Sequence, residues 1–212
     1  MTKTNVISIL MIAFLSIILT SCKTRTTNSA LRHGEVLKTN LNSFDKNREK
    51  LSTKLVSSLE TAGNALMEEN PDIPEVSRDF EKEWRSIMNR YDKLKSDFDN
   101  IGKSSSAYFE ELNTLSGNIN NDQLRAEELA KNKALEAKWQ KTFVEADKAI
   151  AKVTTVLESG NDFHMVLVAS SIRQKLEQNV ADLKNIAEQA KLLLGDLEVF
   201  SQAGRELVEG RG

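Results

Sequence analysis

The sequence contains few of the residues that cross-link a chain, interrupt a helix or bind a metal. Its 212 residues include one cysteine, two prolines and two histidines. A single cysteine excludes an intramolecular disulfide and a zinc site built from several cysteines. So few prolines, together with abundant Ala, Leu, Lys and Glu, indicate one elongated domain made of long helices.

The charge of the chain is balanced and contains no basic block. The 29 Lys and Arg residues nearly cancel the 31 Asp and Glu residues. A protein that follows a phosphate backbone needs a concentrated positive surface, and no stretch of this sequence supplies one. We therefore expect no nucleic-acid partner.

The amino-terminal segment has the parts of a secretory signal peptide. Lys3 gives a positive start, and residues 6–19 form a largely apolar run of fourteen residues. This run is shorter than the ~20 residues that span a bilayer as a helix. The sequence LTSC at residues 19–22 follows it and resembles the lipobox of bacterial lipoproteins. That resemblance implies cleavage before Cys22, a diacylglyceryl group on its thiol and acylation of the new amino terminus.

These features predict three parts of the chain. Residues 1–21 form a lipoprotein signal peptide, residues 22–32 contain the lipidated Cys22 and a flexible tether, and residues 33–209 form a helical domain. Several acyl chains, at about 0.8 kcal/mol per buried methylene, would hold the protein on a membrane. Lys23 follows the cysteine, and by resemblance to the sorting of Gram-negative lipoproteins this favours the outer membrane, facing the periplasm.

A heptad row of apolar residues occupies the middle of the chain. Its twelve positions alternate steps of four and three residues: Phe80, Trp84, Ile87, Tyr91, Leu94, Phe98, Ile101, Ser105, Tyr108, Leu112, Leu115 and Ile119. The heptad row predicts a helix roughly 60 Å long whose apolar stripe other helices must cover. Its one polar member, Ser105, lies close to Gly102 and predicts a kink or loosened packing there.

Three further amphipathic segments can cover the heptad row. Helix one is predicted from about His33 to Glu69, where two prolines end it. Its inward residues are Leu37, Leu41, Phe44, Leu51, Leu55, Ala62 and Leu66, interrupted by Arg48. Helix two is predicted to begin near Pro74 or Glu75 and to end around residues 117–121.

Asn121 or Asp122 can cap helix three, and its inward residues are Leu124, Leu129, Leu135, Trp139, Phe143, Ala146, Ile150, Val153 and Leu157. Gly160-Asn161-Asp162 predicts its end, with Ser170-Ser171 as an alternative break. The last helix would direct inward Ile172, Leu176, Val180, Leu183, Ala187, Ala190, Leu194 and Leu197. We predict an all-α fold, an elongated, coiled-coil-like antiparallel bundle of about four long helices in which the aromatic side chains fill the core.

Several short patterns also resemble one known family. They are Asp79-Phe80, Tyr91-Asp92-Lys93-Leu94, Phe109-Glu110-Glu111-Leu112, Asp122-Gln123-Leu124-Arg125, the stretch from Ala146 to Leu157 and the final amphipathic helix. From roughly Leu37 to Phe200 the chain resembles the bacterial lipoproteins catalogued as the domain of unknown function 2959. The resemblance implies a helical, membrane-anchored envelope protein without an assigned activity.

The motifs that could support catalysis or metal binding are incomplete. Gly102-Lys103-Ser104 matches the end of a phosphate-binding loop, but Asp97 stands where the first glycine of that loop is required. His33 and His164 have no partner at metal-ligand spacing, and the Glu-x-x-His signature of di-iron bundles is missing. We predict no catalytic, cofactor-binding or metal-binding residues.

These observations predict a non-enzymatic scaffold, spacer or adaptor of the bacterial cell envelope. Cys22 would fix it to the membrane, and the helices would offer a long surface to an envelope protein or to a second copy of the chain. The alternative is a binder or carrier of lipid or another apolar ligand. It draws on the apolar run at residues 163–168, which exceeds what one helix stripe needs.

Overall fold

A computed structural model describes residues 3–173 and 180–210, with side chains for residues 31–172 and 182–210. The described residues form four helices and no strand. They are α1 (Lys3–Leu66), α2 (Ile73–Gly117), α3 (Asp122–Arg173) and α4 (Val180–Glu209). The predicted all-helical bundle of four long helices is confirmed.

The four helices are arranged as a ring. Within the described residues, each helix lies next to the helices before and after it in the chain, and α4 closes against α1. Asn40 Nδ2 of α1 donates to Ser104 Oγ of α2 over 3.0 Å. Further along α1, Lys54 pairs with Glu83 of α2, so the two helices run antiparallel.

The other helix pairs are antiparallel as well. Asn132 of α3 donates to Ser116 of α2 at one end of the pair, over 2.9 Å. Arg205 of α4 pairs with Asp45 of α1 at 3.1 Å. Arg48, predicted to interrupt the apolar stripe of α1, pairs with the same Asp45 at 3.0 Å and contacts α4 through the carbonyl of Leu194 at 3.3 Å. Its guanidinium therefore joins two helices at the edge of the core.

The backbone of α1 is helical from Lys3 onward, so the helix starts well before the predicted position near His33. No proline or glycine precedes Gly34, and Thr, Ser and Asn disfavour a helix only weakly. The side chains of residues 1–30, Cys22 included, lie outside the described residues. The signal peptide, the lipidation and the flexibility of residues 22–32 therefore stay predictions.

Capping residues and a glycine mark the two ends of α2 and the start of α3. Asp72 accepts a hydrogen bond from the backbone N–H of Glu75 over 3.0 Å, and α2 ends at Gly117. At the next turn, Asn121 accepts from the N–H of Leu124 over 3.0 Å. Both boundaries lie within a few residues of their predicted positions, because side-chain caps and glycine are local signals.

The predicted end of helix three at Gly160 is wrong, since α3 continues to Arg173. Gly160 is buried, and a Cβ atom at this position would overlap the indole ring of Trp84 in α2. The glycine therefore makes room for a neighbouring helix and does not end its own. The alternative break near Ser170 is close to the observed one, and residues 174–179 lie outside the described part of the chain.

The heptad row is buried from Phe80 to Ser105 and then turns away from the core. Beyond Ile101, Phe109 is buried whereas Tyr108 is only partly buried, although Tyr108 belongs to the row. An α-helix has 3.6 residues per turn and drifts by about 20° per heptad against a 3.5-residue repeat. Over the four heptads from Phe80 to Tyr108 this drift amounts to about 80°, close to the ~100° between successive helix residues, so burial passes from Tyr108 to the adjacent Phe109.

The predicted loosening around Gly102 is not observed. A Cβ on Gly102 would lie 3.1 Å from Cζ of Phe143, so the ring of Phe143 fills the available space. Ser105 donates to the carbonyl of Gly102 over 3.0 Å, which satisfies its hydroxyl inside the helix. Small residues at these positions allow α2 and α3 to approach closely.

Five rings from all four helices form an aromatic layer across the bundle: Phe44, Phe98, Trp139, Phe143 and Phe200. Phe98 and Phe143 are stacked with ring centroids 4.4 Å apart. Phe200 contacts the other four rings at 5.3 to 5.9 Å. The prediction that these aromatic side chains fill the core is confirmed.

Two residues predicted to point inward are exposed. Leu124 lies in the first turn of α3, and Ile172, near the end of α3, is 78% exposed. The inward positions of α4 from Leu183 to Leu197 are otherwise correct, with Ala187 partly buried. The side chains of Leu176 and Val180 lie outside the described residues.

Candidate functional site

The predicted lipidation residue and the far end of α1 are well separated. Cys22 lies in α1, and Leu66 is the last residue of this helix. At a rise of 1.5 Å per residue, the 44 residues between them correspond to about 65 Å. We call the end of the bundle formed by the turn at residues 67–72 and by the start of α4 the distal end.

The apolar run at residues 163–168 divides between the core and the surface. Phe163 and Leu167 are buried, and the ring of Phe163 packs against Phe80 with centroids 5.3 Å apart. Met165, 64% exposed, and Val166 point outward. The apolar residues that one helix stripe does not need, Met165 and Val166, therefore lie on the surface, and Phe163 and Leu167 are packed in the core.

Two grooves between helices lie towards the distal end. The first, between α1 and α4, has a volume of about 470 Å³ and a mostly apolar lining that includes Val56, Leu59, Met67, Leu183 and Ala187. We call it the apolar groove. The second lies between α1 and α2, has a volume of about 580 Å³ and is rich in carboxylates. We call it the acidic groove.

The acidic groove has a negative rim and an apolar floor. Five carboxylates line it, Glu68, Asp72, Glu75, Asp79 and Glu83, against the two cations Lys54 and Lys82, which leaves an excess of three negative charges. Its apolar lining consists of Ala62, Ala65, Val76 and Phe80. Its volume lies within the range of small-molecule sites, roughly 300–1,000 Å³.

Ser58 is the unusual polar residue of the acidic groove. It is only 6% exposed, and its hydroxyl has no hydrogen-bond partner among the described residues. Other buried serines of the bundle, such as Ser104 and Ser201, donate to a carbonyl one turn earlier in their own helix. Burying a hydroxyl that no group satisfies costs about 1–3 kcal/mol.

The carboxylates of the groove differ in how they are engaged. Lys54 and Glu83 form an ion pair between α1 and α2, and Asp72 caps α2. The remaining carboxylates, Glu68, Glu75 and Asp79, have no ion pair within the described part of the chain. The groove therefore combines unneutralised negative charge with one ion pair between a lysine and a carboxylate.

The motifs considered for chemistry lie on helices. Gly102-Lys103-Ser104 is inside α2, and the hydroxyl of Ser104 donates to the carbonyl of Asn100 over 2.8 Å. His164 of α3 is stacked near Phe80 with ring centroids 6.3 Å apart, and His33 is partly buried in α1. Among the described side chains, no group of three His, Cys, Asp or Glu residues is placed to hold a metal ion.

Where side chains are described, no helix is both long enough and apolar enough to cross a bilayer. The apolar run at residues 6–19 lies outside that part.

A buried tyrosine links α2 to α3. Tyr91 donates to the carbonyl of Ile150 over 2.9 Å, and its oxygen lies 2.6 Å from the hydroxyl of Thr154. Burial raises the pKa of Tyr91 above its ordinary value of 10.0, while the hydrogen bond with Thr154 lowers it and the charge of Asp92 raises it. Burial also raises the pKa of Tyr108. Because folding favours the neutral phenols, their contribution to stability is complete below about pH 10 and is lost as the pH rises through the raised pKa.

The acidic groove was not predicted from the sequence, although part of its signal is visible there. Asp72, Glu75, Asp79 and Glu83 are separated by steps of three, four and four residues, which places them along one face of a helix. The burial of Ser58 depends on how α1 packs against α2, and no local pattern gives it.

The comparisons with known proteins add no site, because no family model, curated protein or solved structure matches the chain. The resemblance to the domain of unknown function 2959 stays a prediction.

Proposed function

We propose that this protein is a non-enzymatic, lipid-anchored spacer or adaptor of the bacterial cell envelope, with Cys22 in the outer membrane and the bundle in the periplasm. The observation that carries the proposal is the length of α1, whose part after the predicted tether, residues 33–66, spans about 50 Å up to the distal end. A rod of this length would hold the distal end of the bundle away from the membrane that carries the anchor. The filled aromatic layer supports a mechanical role, because rings from all four helices brace the rod.

Lipidation of Cys22 is the first prediction of this proposal. The native protein should incorporate radiolabelled palmitate in a bacterial host, and Cys22→Ser should lose the label, because the thiol is the acceptor of the diacylglyceryl group. Autoradiography of the immunoprecipitated protein measures both. The Ser21→Ala variant is a matched control that keeps the cysteine and should retain the label. Equal labelling of Cys22→Ser and the native protein would disprove the anchor.

Partner binding at the distal end is the second prediction. Met67 and Leu124 are exposed apolar residues near opposite ends of the bundle, 63% and 53% exposed. A photo-crosslinking amino acid at position 67 should capture an envelope protein in living cells, whereas the same residue at position 124 should capture much less. Mass spectrometry of the cross-linked bands identifies the partner. Equal yields at the two positions, or none at position 67, would contradict an adaptor that acts through its distal end.

A lipid or apolar-ligand carrier is the second candidate function, and the apolar groove favours it. Its lining residues Val56, Leu59 and Leu183 leave a concave apolar surface between α1 and α4. Organic extraction and mass spectrometry of the purified protein discriminate the two functions. Lipid recovered in a reproducible molar ratio, and lost when the partly buried groove residue Val56 is replaced in Val56→Glu, would favour the carrier over the spacer.

A further inference from the structure

We infer that the acidic groove binds a linear aliphatic polyamine. The inference is independent of the lipid anchor, since it rests on side chains of α1 and α2 alone. It combines three observations: the excess of negative charge, the spacing of the carboxylates and the buried hydroxyl of Ser58.

The charge of the groove selects a cation. Three of its five carboxylates have no ion pair within the described residues, and the groove carries three more negative than positive groups. Lys54 already places an ammonium group against Glu83 at the side of the groove. Ammonium–carboxylate contacts of this kind are among the stronger hydrogen bonds in proteins. A ligand with further ammonium groups would engage the carboxylates that remain free.

The spacing of the carboxylates selects a ligand with several charges in a row. Asp72, Glu75, Asp79 and Glu83 follow one another at about 4.5, 6 and 6 Å along the axis of α2, from a rise of 1.5 Å per residue. The ammonium groups of a linear polyamine are separated by three or four methylenes, which gives repeat distances of the same order. A single metal ion would instead need its ligands to converge, and the described carboxylates do not do so.

The apolar floor of the groove suits the methylene groups of a polyamine. Ala62, Ala65 and Phe80 present apolar surface on which methylene groups can lie. Ser58 lies among these residues with its hydroxyl buried and without a partner. A hydroxyl oxygen accepts a hydrogen bond from an ammonium or secondary amine, so a polyamine would satisfy the polar group that the fold leaves unpaired.

Isothermal titration calorimetry with spermidine tests this inference on the full chain in detergent micelles. We expect saturable binding at one site per chain. The double variant Glu75→Gln/Asp79→Asn should bind about tenfold more weakly, because each substitution removes a charge-assisted contact. Asp99→Asn/Glu110→Gln is the matched control: both residues are exposed carboxylates on α2 outside the groove, and their replacement should leave the affinity unchanged. Circular dichroism establishes that both double variants are folded.

Further arms of the experiment separate polyamine recognition from other causes. Magnesium chloride at equal ionic strength should not displace spermidine, and a lysine-rich peptide should bind more weakly than spermidine. Ser58→Ala should weaken spermidine binding several-fold, because it removes the acceptor at the floor of the groove. The absence of saturable binding, full displacement by magnesium, preference for the peptide or equal losses in the two double variants would each overturn the inference. Unchanged affinity in Ser58→Ala would overturn it as well, because the buried hydroxyl is one of the three observations on which the site rests.

Discussion

Replacing Gly160 by alanine should lower the free energy of unfolding by about 2 kcal/mol, the difference between a packing cost near 3 kcal/mol and a helix-propensity gain near 1 kcal/mol. The added methyl group would overlap the buried indole of Trp84, and forcing an extra group into a packed core typically costs about 1–3 kcal/mol and sometimes more. Alanine favours a helix over glycine by about 1 kcal/mol, which offsets only part of this cost. Urea denaturation followed by circular dichroism measures the difference.

Gly195 supplies the control for this substitution. It also lies inside a helix, α4, but a Cβ atom added there would meet nothing within 4 Å. Gly195→Ala should therefore stabilise the protein by up to about 1 kcal/mol. In Trp84→Phe the smaller ring leaves space beside Gly160, so the cost of Gly160→Ala should be reduced in that background. Changes of equal sign and size at Gly160 and Gly195 would show that the contact with Trp84 has no energetic weight.

Truncation of Phe200 to alanine should be the most damaging change of the core, with a loss of about 3–5 kcal/mol. Phe200 is 2% exposed and contacts rings from α1, α2 and α3 within the aromatic layer. Its removal opens a cavity at the point where the four helices meet. Thermal and chemical denaturation of the purified variant give the loss.

The neighbouring residue provides the comparison for Phe200. Val199 is 67% exposed, so Val199→Ala should change the free energy of unfolding by less than about 0.5 kcal/mol. Similar effects at the two adjacent positions would mean that the layer does not hold the bundle together. A loss of unfolding free energy in Phe200→Ala alone would show that the aromatic layer stabilises the bundle.

Most of the fold follows from periodic apolar residues and from local caps. All seven inward residues predicted for α1 are buried, and Asp72, Asn121 and Gly117 mark helix boundaries close to where the sequence places them. The two errors have different physical origins. The role of Gly160 depends on how α2 approaches α3, which the sequence of α3 alone does not record, whereas the exposure of Tyr108 follows from the drift of an α-helix against the heptad repeat.

Only part of the candidate site could be predicted from the sequence. The carboxylates of the acidic groove are regularly spaced in the sequence, but their opposition to Ala62 and Ser58 requires the antiparallel pairing of α1 with α2. The proposed role of Cys22, in contrast, is inferred from the sequence alone. It depends on the residues before the cysteine, and the described side chains add no evidence for it.

The closure of the helix ring between α1 and α4 has a consequence for how the chain acquires its structure. Contacts between consecutive helices are local, whereas the pair formed by Asp45 and Arg205 joins residues 160 positions apart. Loop closure over such a distance is entropically more costly than hairpin formation, so α4 is expected to dock last. Until residues 180–210 have been synthesised, we expect the first three helices to form an open trough lined by Leu41, Phe44 and Leu51, which are buried in the complete bundle. During this interval the nascent protein exposes its core and depends on chaperones more than the finished bundle does.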